Sequence, residues 1–269
     1  MGFHSLLRDR WRDSGSLLCV GLDPDRSRIP ARLAASSGGI AKFCIDIVDA
    51  TAKYACAFKP QIAYFAAEGA EDDLERVCTH IRENHPHIPL ILDAKRGDIG
   101  DTARMYAREA FERYGAHAVT VNPWMGGDTL APYQEHEGRG IVVLCRTSNA
   151  GSGESQSRIV EGEPLYMHVA RRAADEWSKR GDVSLVVGAT YPAELAEVRA
   201  AVGDMPLLVP GVGAQGGDPA EVVRNGADSA GAGLIVNSSR AVLYADPADH
   251  AAGAARVARE TRDALNAAR

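Results

Sequence analysis

The chain has 269 residues, and its 30 Lys and Arg against 36 Asp and Glu give a formal net charge of −6 at pH 7. A mildly acidic chain without a Lys/Arg-rich run lacks the positive surface that binds nucleic acid or anionic membranes. No apolar run approaches the roughly 18 residues of a membrane span, and the amino-terminal segment has no signal-peptide core. We therefore expect a cytoplasmic protein that binds neither nucleic acid nor membrane.

Short apolar runs rich in Val, Leu and Ile alternate with longer amphipathic segments along the chain. The apolar runs predict strands at 17–23, 55–60, 89–95, 117–122, 140–146, 183–189, 206–211 and 230–237. Helical segments are predicted between and after them, near 40–53, 70–84, 101–114, 126–136, 164–180, 192–202, 218–225 and 248–267. Strict alternation without a composition shift predicts an α/β protein, a single (β/α)₈ TIM barrel domain over residues 1–269.

The five cysteines have no CxxC spacing and stand mostly within hydrophobic runs. A thiol in such a run behaves as a small apolar side chain, so we expect reduced core residues. The eight histidines form no HxxxH or HExxH pair, so the spacing predicts no zinc site.

Polar side chains stand at or just past the carboxyl ends of the first five predicted strands. They are Asp23, Lys59, Asp93 with Lys95, Asn122 and Arg146. Barrel enzymes build their active sites at this face. Any one of these residues could be a solvated strand end, but their occurrence on successive strands favours a site.

The segment DAKRGDIGDT, residues 93–102, places charged residues at the end of the third predicted strand. Asp93 and Lys95 are two residues apart, so both side chains should leave the same face of the strand. Lys95 between Asp93 and Asp98, with Lys59 from a neighbouring strand, would form an alternating charge network. Such a network keeps a lysine protonated and suits proton delivery to a carbanion. The alternative is a structural ion-pair cluster that closes the top of the barrel.

A second candidate site combines GVGAQGGD, residues 211–218, with VNSSR, residues 236–240. The first contains a GxGxxG pattern, but too little chain follows it for a dinucleotide-binding fold. In a barrel, the loops after strands 7 and 8 bind phosphate through backbone N–H groups. The side chains of Gln215 and Arg240 would add donors. We expect a phosphomonoester ligand; the alternative is that the glycines serve turn geometry alone.

The loop that begins TSNAGSGES, residues 147–155, is long for a compact domain, and such loops are often lids. Ser148 and Asn149 would reach a polar ring edge of a substrate. A plain flexible loop has the same Gly/Ser content, so this motif is weak on its own.

Taken together, these motifs resemble those of the orotidine 5′-phosphate decarboxylase family, whose signature is Asp-x-Lys-x-x-Asp-Ile-x-x-Thr. The chain has DAKRGDIGDT, and around it GLDPD, FKP, TSN, GVGAQGG and SSR in the family's order. Its length and the TSN and GVGAQGG motifs are similar to the longer bacterial (type 2) branch. The resemblance implies a homodimeric barrel that converts orotidine 5′-monophosphate to UMP and carbon dioxide in de novo UMP synthesis, with no metal or organic cofactor.

The resemblance also implies catalytic roles. Lys95 would protonate C6 after carbon dioxide leaves, Asp93 would lie beside the substrate carboxylate, and Lys59 would complete the charge network. Three residues would reach the partner subunit's active site and make each site composite: Asp98, Ile99 and Thr102.

Further roles concern substrate binding. Asp23 would bind the ribose hydroxyls and Ser148 the pyrimidine. Gly213, Gln215 and Arg240 would bind the phosphate. One departure is Ala150, where the family often has Pro after TSN, which concerns only the stiffness of the lid.

Two other functions remain open. Magnesium-dependent 3-keto-gulonate-phosphate decarboxylases and hexulose-phosphate synthases share an Asp-x-Lys-x-x-Asp core and are expected to hold an enediolate on the metal. A non-catalytic barrel that binds a phosphate metabolite is the second alternative.

Overall fold

Eight parallel strands form the central sheet of the computed structural model, which describes residues 2–212 and 217–269. The strands in chain order, including a separate antiparallel hairpin of β6 and β7, are β1 (Leu18–Leu22), β2 (Ala57–Pro60), β3 (Ile91–Arg96), β4 (Ala118–Val121), β5 (Gly140–Arg146), β6 (Ile159–Val160), β7 (Glu163–Pro164), β8 (Asp182–Val187), β9 (Leu207–Pro210) and β10 (Leu234–Ser238). Their order in the sheet is β2-β1-β10-β9-β8-β5-β4-β3. Parallel bridges from Phe58 to Leu90 and from Gln61 to Asp93 join β2 to β3, so the sheet closes into the predicted barrel.

Helices follow the strands and cover the outside of the barrel. They are α1 (Phe3–Ser14), α2 (Ala31–Ala34), α3 (Gly39–Thr51), α4 (Ile62–Ala66), α5 (Glu71–Asn84), α6 (Gly100–Arg108), α7 (Ala131–Gln134), α8 (Leu165–Asp175), α9 (Pro192–Val202), α10 (Pro219–Gly226), α11 (Arg240–Leu243) and α12 (His250–Asn266). A π-helical turn, Glu109–Arg113, extends α6, and 3₁₀ turns occupy Gly127–Thr129, Ala150–Glu154 and Trp177–Arg180.

The core consists of the strands and the inward faces of the helices. Every residue of β1, β2 and β4 is buried, as expected where a parallel sheet is covered on both faces. The five cysteines are free, buried thiols, as predicted. Within the described residues, no helix has the length and apolar character needed to cross a membrane.

The eighth predicted strand began too early. Residues 228–233 form a tight turn instead, in which the Asp228 carboxylate accepts hydrogen bonds from the backbone N–H groups of Ala230 and Ala232. Gly231 and Gly233 adopt φ values of +70° and +78°, which other residues avoid. The strand therefore starts at Leu234.

Two predicted helices are broken in the structure. The segment 126–136 divides into the Gly127–Thr129 turn and α7, which has a proline in its first turn, where no N–H donor is needed. The segment 164–180 divides at Glu176, whose φ of −120° and ψ of −55° leave the helical region. Gly127 and Pro132 are sequence signals for the first break, whereas no glycine or proline marks the second, at Glu176.

Helix α1, which the strand-and-helix pattern did not predict, covers the amino-terminal end of the barrel. Phe3 packs so closely on Gly140 that a Cβ there would lie 2.4 Å from the ring. Arg10 Nε donates to the carbonyl of Ala55 at 2.8 Å, and Trp11 Nε1 donates to that of Leu234 at 2.9 Å. These contacts lie at the starts of β5, β2 and β10, so α1 closes the end opposite the carboxyl ends of the strands.

Candidate active site

The centre of the carboxyl-terminal face is a bulge in β3. Leu92 pairs with Val119 and Arg96 with Val121, so residues 93–95 stand opposite Thr120 alone. The Thr120 hydroxyl oxygen accepts from the backbone N–H groups of Ala94 and Lys95, both at 2.9 Å. The same hydroxyl donates to Asp93 Oδ1 at 2.9 Å. One buried hydroxyl therefore accepts hydrogen bonds from the two backbone N–H groups that the bulge removes from the sheet. The same hydroxyl orients the Asp93 carboxylate.

The bulge brings the predicted charged residues together. Lys59 Nζ at the end of β2 donates to Asp93 Oδ2 at 2.7 Å, and Lys95 Nζ donates to Asp93 Oδ1 at 2.6 Å. The side chains of Lys59 and Asp93 are buried, whereas that of Lys95 is 46% exposed. Lys95 has a φ of +46°, so it is held on a strained backbone rather than on the regular strand that the sequence predicted.

Burial would disfavour charge on Lys59 and Asp93, but opposite charges outweigh it. For Lys59, the carboxylates of Asp93 and Asp23 overcome the effect of burial and raise the pKa above its ordinary value. For Asp93, the ammonium groups of Lys59 and Lys95 overcome burial and hold the pKa well below its ordinary value. The pair is therefore ionised throughout the neutral range.

Asp98 does not complete the charge network within its own chain. Its Oδ1 accepts from the backbone N–H of Ile99 at 2.8 Å, and the described residues contain no ion pair between Asp98 and Lys95. Ile99 is 61% exposed as the N-cap residue of α6, and Thr102 is exposed in the first turn of that helix. All three predicted residues thus lie together on an outward-facing segment beside the site.

Asp23, just past the end of β1, is fixed from the neighbouring strand and helix. The Ser239 hydroxyl donates to Asp23 Oδ2 at 2.6 Å, and the Tyr244 hydroxyl donates to the Asp23 carbonyl at 3.0 Å. Asp23 Oδ1 and Asn237 Oδ1 are buried and have no hydrogen-bond partner within the described residues. Two buried acceptor oxygens at the ends of β1 and β10 are therefore left without a hydrogen-bond donor in the described structure.

The predicted phosphate-binding loops are described only in part. Gly213 and Gln215 lie outside the described residues. On either side of them, Gly217 N donates to Gly211 O at 3.1 Å. Arg240 is exposed at the start of α11 and forms no ion pair in residues 2–212 and 217–269. Its guanidinium remains available to an anion.

Arg146, at the end of β5, does not point into the site but holds the loop that follows. It is buried, pairs with Glu194 and donates to Ser152, and its guanidinium lies 4.1 Å from the centre of the Tyr191 ring. Gln156 Oε1 accepts from the backbone N–H of Thr147 at 2.9 Å. These contacts bring the 147–156 segment back over the strand end.

Ser148 is half-buried at the start of that segment. Gly188 packs against it so closely that a Cβ on Gly188 would lie 2.9 Å from the Ser148 backbone. Asn122, another strand-end residue, is exposed and accepts from Trp124 N at 3.0 Å, so it caps a turn.

Sequence reasoning missed four residues that shape the site: Thr120, Asn237, Ser239 and Tyr244. Thr120 lies within an apolar strand, and its position opposite the bulge had no signal in the sequence. Asn237 and Ser239 belong to the VNSSR motif, in which only the arginine was assigned a role. Strand-end position was the signal that could have identified them.

Comparison with known proteins places this geometry in a family. A family model described as Orotidine 5′-phosphate decarboxylase / HUMPS family matches residues 16–255. The chain belongs to this family. The matched region of the orotidine 5′-phosphate decarboxylase / HUMPS family contains every candidate site residue from Asp23 to Arg240, so the resemblance found in the motifs is confirmed.

Individual relatives agree with the orotidine 5′-phosphate decarboxylase / HUMPS assignment. The chain is 59% identical over 267 residues to the orotidine 5′-phosphate decarboxylase of Janthinobacterium sp. (strain Marseille), with 99% of this chain and 98% of that relative covered. The solved OMP decarboxylase of Leishmania donovani aligns over 100% of both chains at 39% identity and a TM-score of 0.85. The UMP synthase of the same organism aligns at 40% identity and a TM-score of 0.89, covering 100% of this chain and 56% of its own. These alignments confirm the barrel.

Proposed function

We propose that this chain converts orotidine 5′-monophosphate to UMP and carbon dioxide in pyrimidine biosynthesis, with Lys95 as the proton donor. The observation that carries this proposal is the array of Lys59, Asp93 and Lys95, in which one carboxylate lies between two ammonium groups at 2.7 and 2.6 Å. Full-length relatives named orotidine 5′-phosphate decarboxylase support it.

The array fits the electrostatic demand of this reaction. When the bond between C6 and the carboxylate breaks, its electron pair stays on C6 as a vinyl carbanion that no ring carbonyl delocalises. A fixed ammonium at C6 stabilises that charge and then transfers a proton to it. Lys95, half-exposed and aimed by Asp93, takes this role and recovers its proton from solvent. Asp93 lies beside the substrate carboxylate, and Lys59 offsets its charge.

The remaining candidate residues bind the substrate. Asp23 and Asn237 each offer a buried acceptor oxygen to the ribose hydroxyls. Ser148 contacts the pyrimidine from the start of the 147–156 segment. Gly213, Gln215 and Arg240 hold the phosphate, whose binding energy closes the loops around the ring.

We further propose a homodimer with composite active sites. Large apolar side chains are exposed near the catalytic bulge: Ile99 at 61%, Met105 at 52%, Trp124 at 76% and Met125 at 43%. Asp98 and Thr102 share this outward-facing region, and within the described residues Asp98 forms no ion pair with Lys95. Packing two such faces together would bury the apolar side chains and bring Asp98 of one subunit towards Lys95 of the other.

We place the enzyme in the cytoplasm. Five buried free thiols suit a reducing compartment. Neither nucleic acid nor a membrane is part of the proposed function.

The reaction is tested by following the ultraviolet absorbance of orotidine 5′-monophosphate with purified protein in excess EDTA. We expect undiminished loss of substrate, because the proposed chemistry uses only protein side chains. A second cuvette contains a keto sugar phosphate and Mg²⁺, the reaction of the sugar-phosphate branch. Turnover of the keto sugar phosphate without turnover of orotidine 5′-monophosphate would refute the proposal and assign the chain to the sugar-phosphate branch.

The phosphate assignment has its own test in Arg240→Ala. Turnover of orotidine 5′-monophosphate should fall by about 10²-fold or more, because a charge-assisted bond to the phosphate is lost, while turnover of the free nucleoside orotidine should barely change. Steady-state kinetics with both substrates measure the difference. Equal losses for the two substrates would contradict a role at the phosphate.

A further inference from the structure

A cluster of imidazole and carboxylate groups lies at the end of the barrel opposite the active site. Asp49 is near the end of α3, His80 is in the last turns of α5, and His85 is the residue that follows that helix. Both helices lead into strand starts, at Ala57 of β2 and Ile91 of β3. The cluster thus belongs to the amino-terminal face, and the mechanism above does not use it.

The three side chains converge on one point. Asp49 Oδ1 lies 2.7 Å from His80 Nε2 and 2.8 Å from His85 Nε2. Their potential ligand atoms all lie within 4.8 Å of one another, and in the described part of the chain this is the one such group of three. Ligands at about 2.0–2.1 Å from a tetrahedral Zn²⁺ lie roughly 3.3 Å apart, so small side-chain movements would suffice.

We propose that Asp49, His80 and His85 form a binding site for a divalent transition-metal ion of the Zn²⁺ type. Two imidazoles and a carboxylate form a donor set that such ions prefer, with a fourth position left to water. The site is accessible, because the side chains are 52%, 21% and 17% exposed in that order. A bound ion would link α3 to the end of α5.

Surrounding contacts favour a defined orientation of the first imidazole. Asn84 Nδ2 lies 3.2 Å from His80 Nδ1 and also 3.2 Å from the His80 carbonyl. In the metal-free state the imidazole proton lies on Nε2, towards Asp49. An ion bound through Nε2 displaces that proton to Nδ1, so the Asn84 amide, which also donates to the His80 carbonyl, has to move away from Nδ1. The ring keeps its position while its lone pair turns to the ion.

The test uses untagged full-length protein freed of metal by EDTA and dialysis. Zn²⁺ is titrated in competition with a chromophoric chelator, and Co²⁺ absorption reports the coordination geometry. We expect one equivalent of Zn²⁺, with binding weakened at least about tenfold in His80→Gln and in His85→Gln. The matched control is His87→Gln, because His87 lies next to the cluster, its ring 6.5 Å from that of His85, but supplies no ligand atom to it. This variant should bind as the wild type does.

A second readout does not depend on spectroscopy or activity. At a Zn²⁺ concentration ten times the dissociation constant, the melting temperature of the wild type should rise by about 3 °C, and that of His80→Gln should not. Absence of stoichiometric binding, equal binding by the wild type and both ligand variants, or loss of binding in His87→Gln would overturn the proposal. The cluster would then be a hydrogen-bonded group of Asp49 and two histidines.

Discussion

At the scale of single residues, the conformation of the catalytic bulge depends on Thr120. Its hydroxyl is the acceptor for two backbone N–H groups of the bulge and the donor to Asp93, and it is buried. Lys95 has a left-handed backbone conformation that costs about 1–3 kcal/mol unless its surroundings impose it. Thr120 is thus a positioning residue: it acts on the reaction through the placement of Asp93 and Lys95.

Thr120→Val should lower kcat by about 10- to 100-fold with little change in KM, because the valine keeps the shape but leaves two backbone N–H groups without an acceptor and removes one of the two donors to Asp93 Oδ1. The free energy of unfolding should fall by about 1–3 kcal/mol. Steady-state kinetics and urea unfolding measure the two effects. Thr120→Ser, which retains the hydroxyl, should restore most of kcat.

The matched control for this prediction is Thr129→Val. Thr129 is also a buried threonine, but its hydroxyl donates to the backbone carbonyl of Gly126. It should lose stability without losing kcat. An unchanged kcat in Thr120→Val, or failure of the serine variant to rescue it, would contradict the positioning role.

At the scale of elements, the start of β4 is joined to the start of β3 by a histidine. His117 Nδ1 accepts from Leu90 N at 3.0 Å, and His117 N donates to the Leu90 carbonyl at 2.8 Å. Burial, with smaller contributions from Arg139 and Arg82, lowers the pKa of His117 to about 4. The fold therefore requires a neutral imidazole at this junction.

This requirement predicts acid destabilisation. The ordinary pKa of about 6.5 applies to the unfolded chain, so the stabilisation is fully present above pH 6.5 and is lost as the pH falls towards 4. Between pH 7 and pH 5, the wild type should lose about 2 kcal/mol more than His117→Asn, whose side-chain oxygen can accept the same hydrogen bond without titrating. Urea unfolding at the two pH values measures this difference. His168→Asn, outside the strand junction, should behave as the wild type, and equal losses in His117→Asn and the wild type would refute the assignment.

The sequence predicted those strands and helices that a local pattern of apolar and polar residues determines. The apolar runs identified the eight strands because a covered parallel sheet needs continuous apolar segments. The bulge at residues 93–95 was not predictable, since it depends on pairing with a threonine 25 or more residues away. Helix α1 had a signal in the four-residue spacing of Phe3, Leu7 and Trp11, all buried, but it lies outside the strand–helix alternation that organised the prediction.

At the scale of the whole molecule, the barrel separates its two ends. The amino-terminal end carries α1 and the Asp49 cluster, and the carboxyl-terminal end carries the charged array. The sequence located Lys59, Asp93 and Lys95 because strand ends meet at one face of a barrel. It did not indicate that Arg146 turns away to hold a loop, because that depends on the three-dimensional positions of Glu194 and Tyr191.

Composite active sites would make activity a property of the subunit pair. Lys95→Ala and Asp98→Asn should each be nearly inactive alone. When equal amounts of the two variants are refolded together, random pairing makes half of the dimers heterodimers. Each heterodimer has one intact site and one site with both defects, so about a quarter of the wild-type activity should return. Activity after mixing, compared with either variant refolded alone, measures this. No recovery in a mixture that forms heterodimers would contradict shared sites.

In the proposed mechanism, Lys95, held by Asp93, protonates the carbanion. The most direct measurement is kcat of Lys95→Ala on orotidine 5′-monophosphate in excess EDTA, with calorimetric binding of UMP to the same variant and Lys53→Ala, an exposed lysine, as the control. We predict a loss of at least about 10³-fold in kcat with UMP still bound, because both carbanion stabilisation and proton transfer are removed. A Lys95→Ala enzyme that keeps kcat within tenfold of the wild type would contradict this role of Lys95.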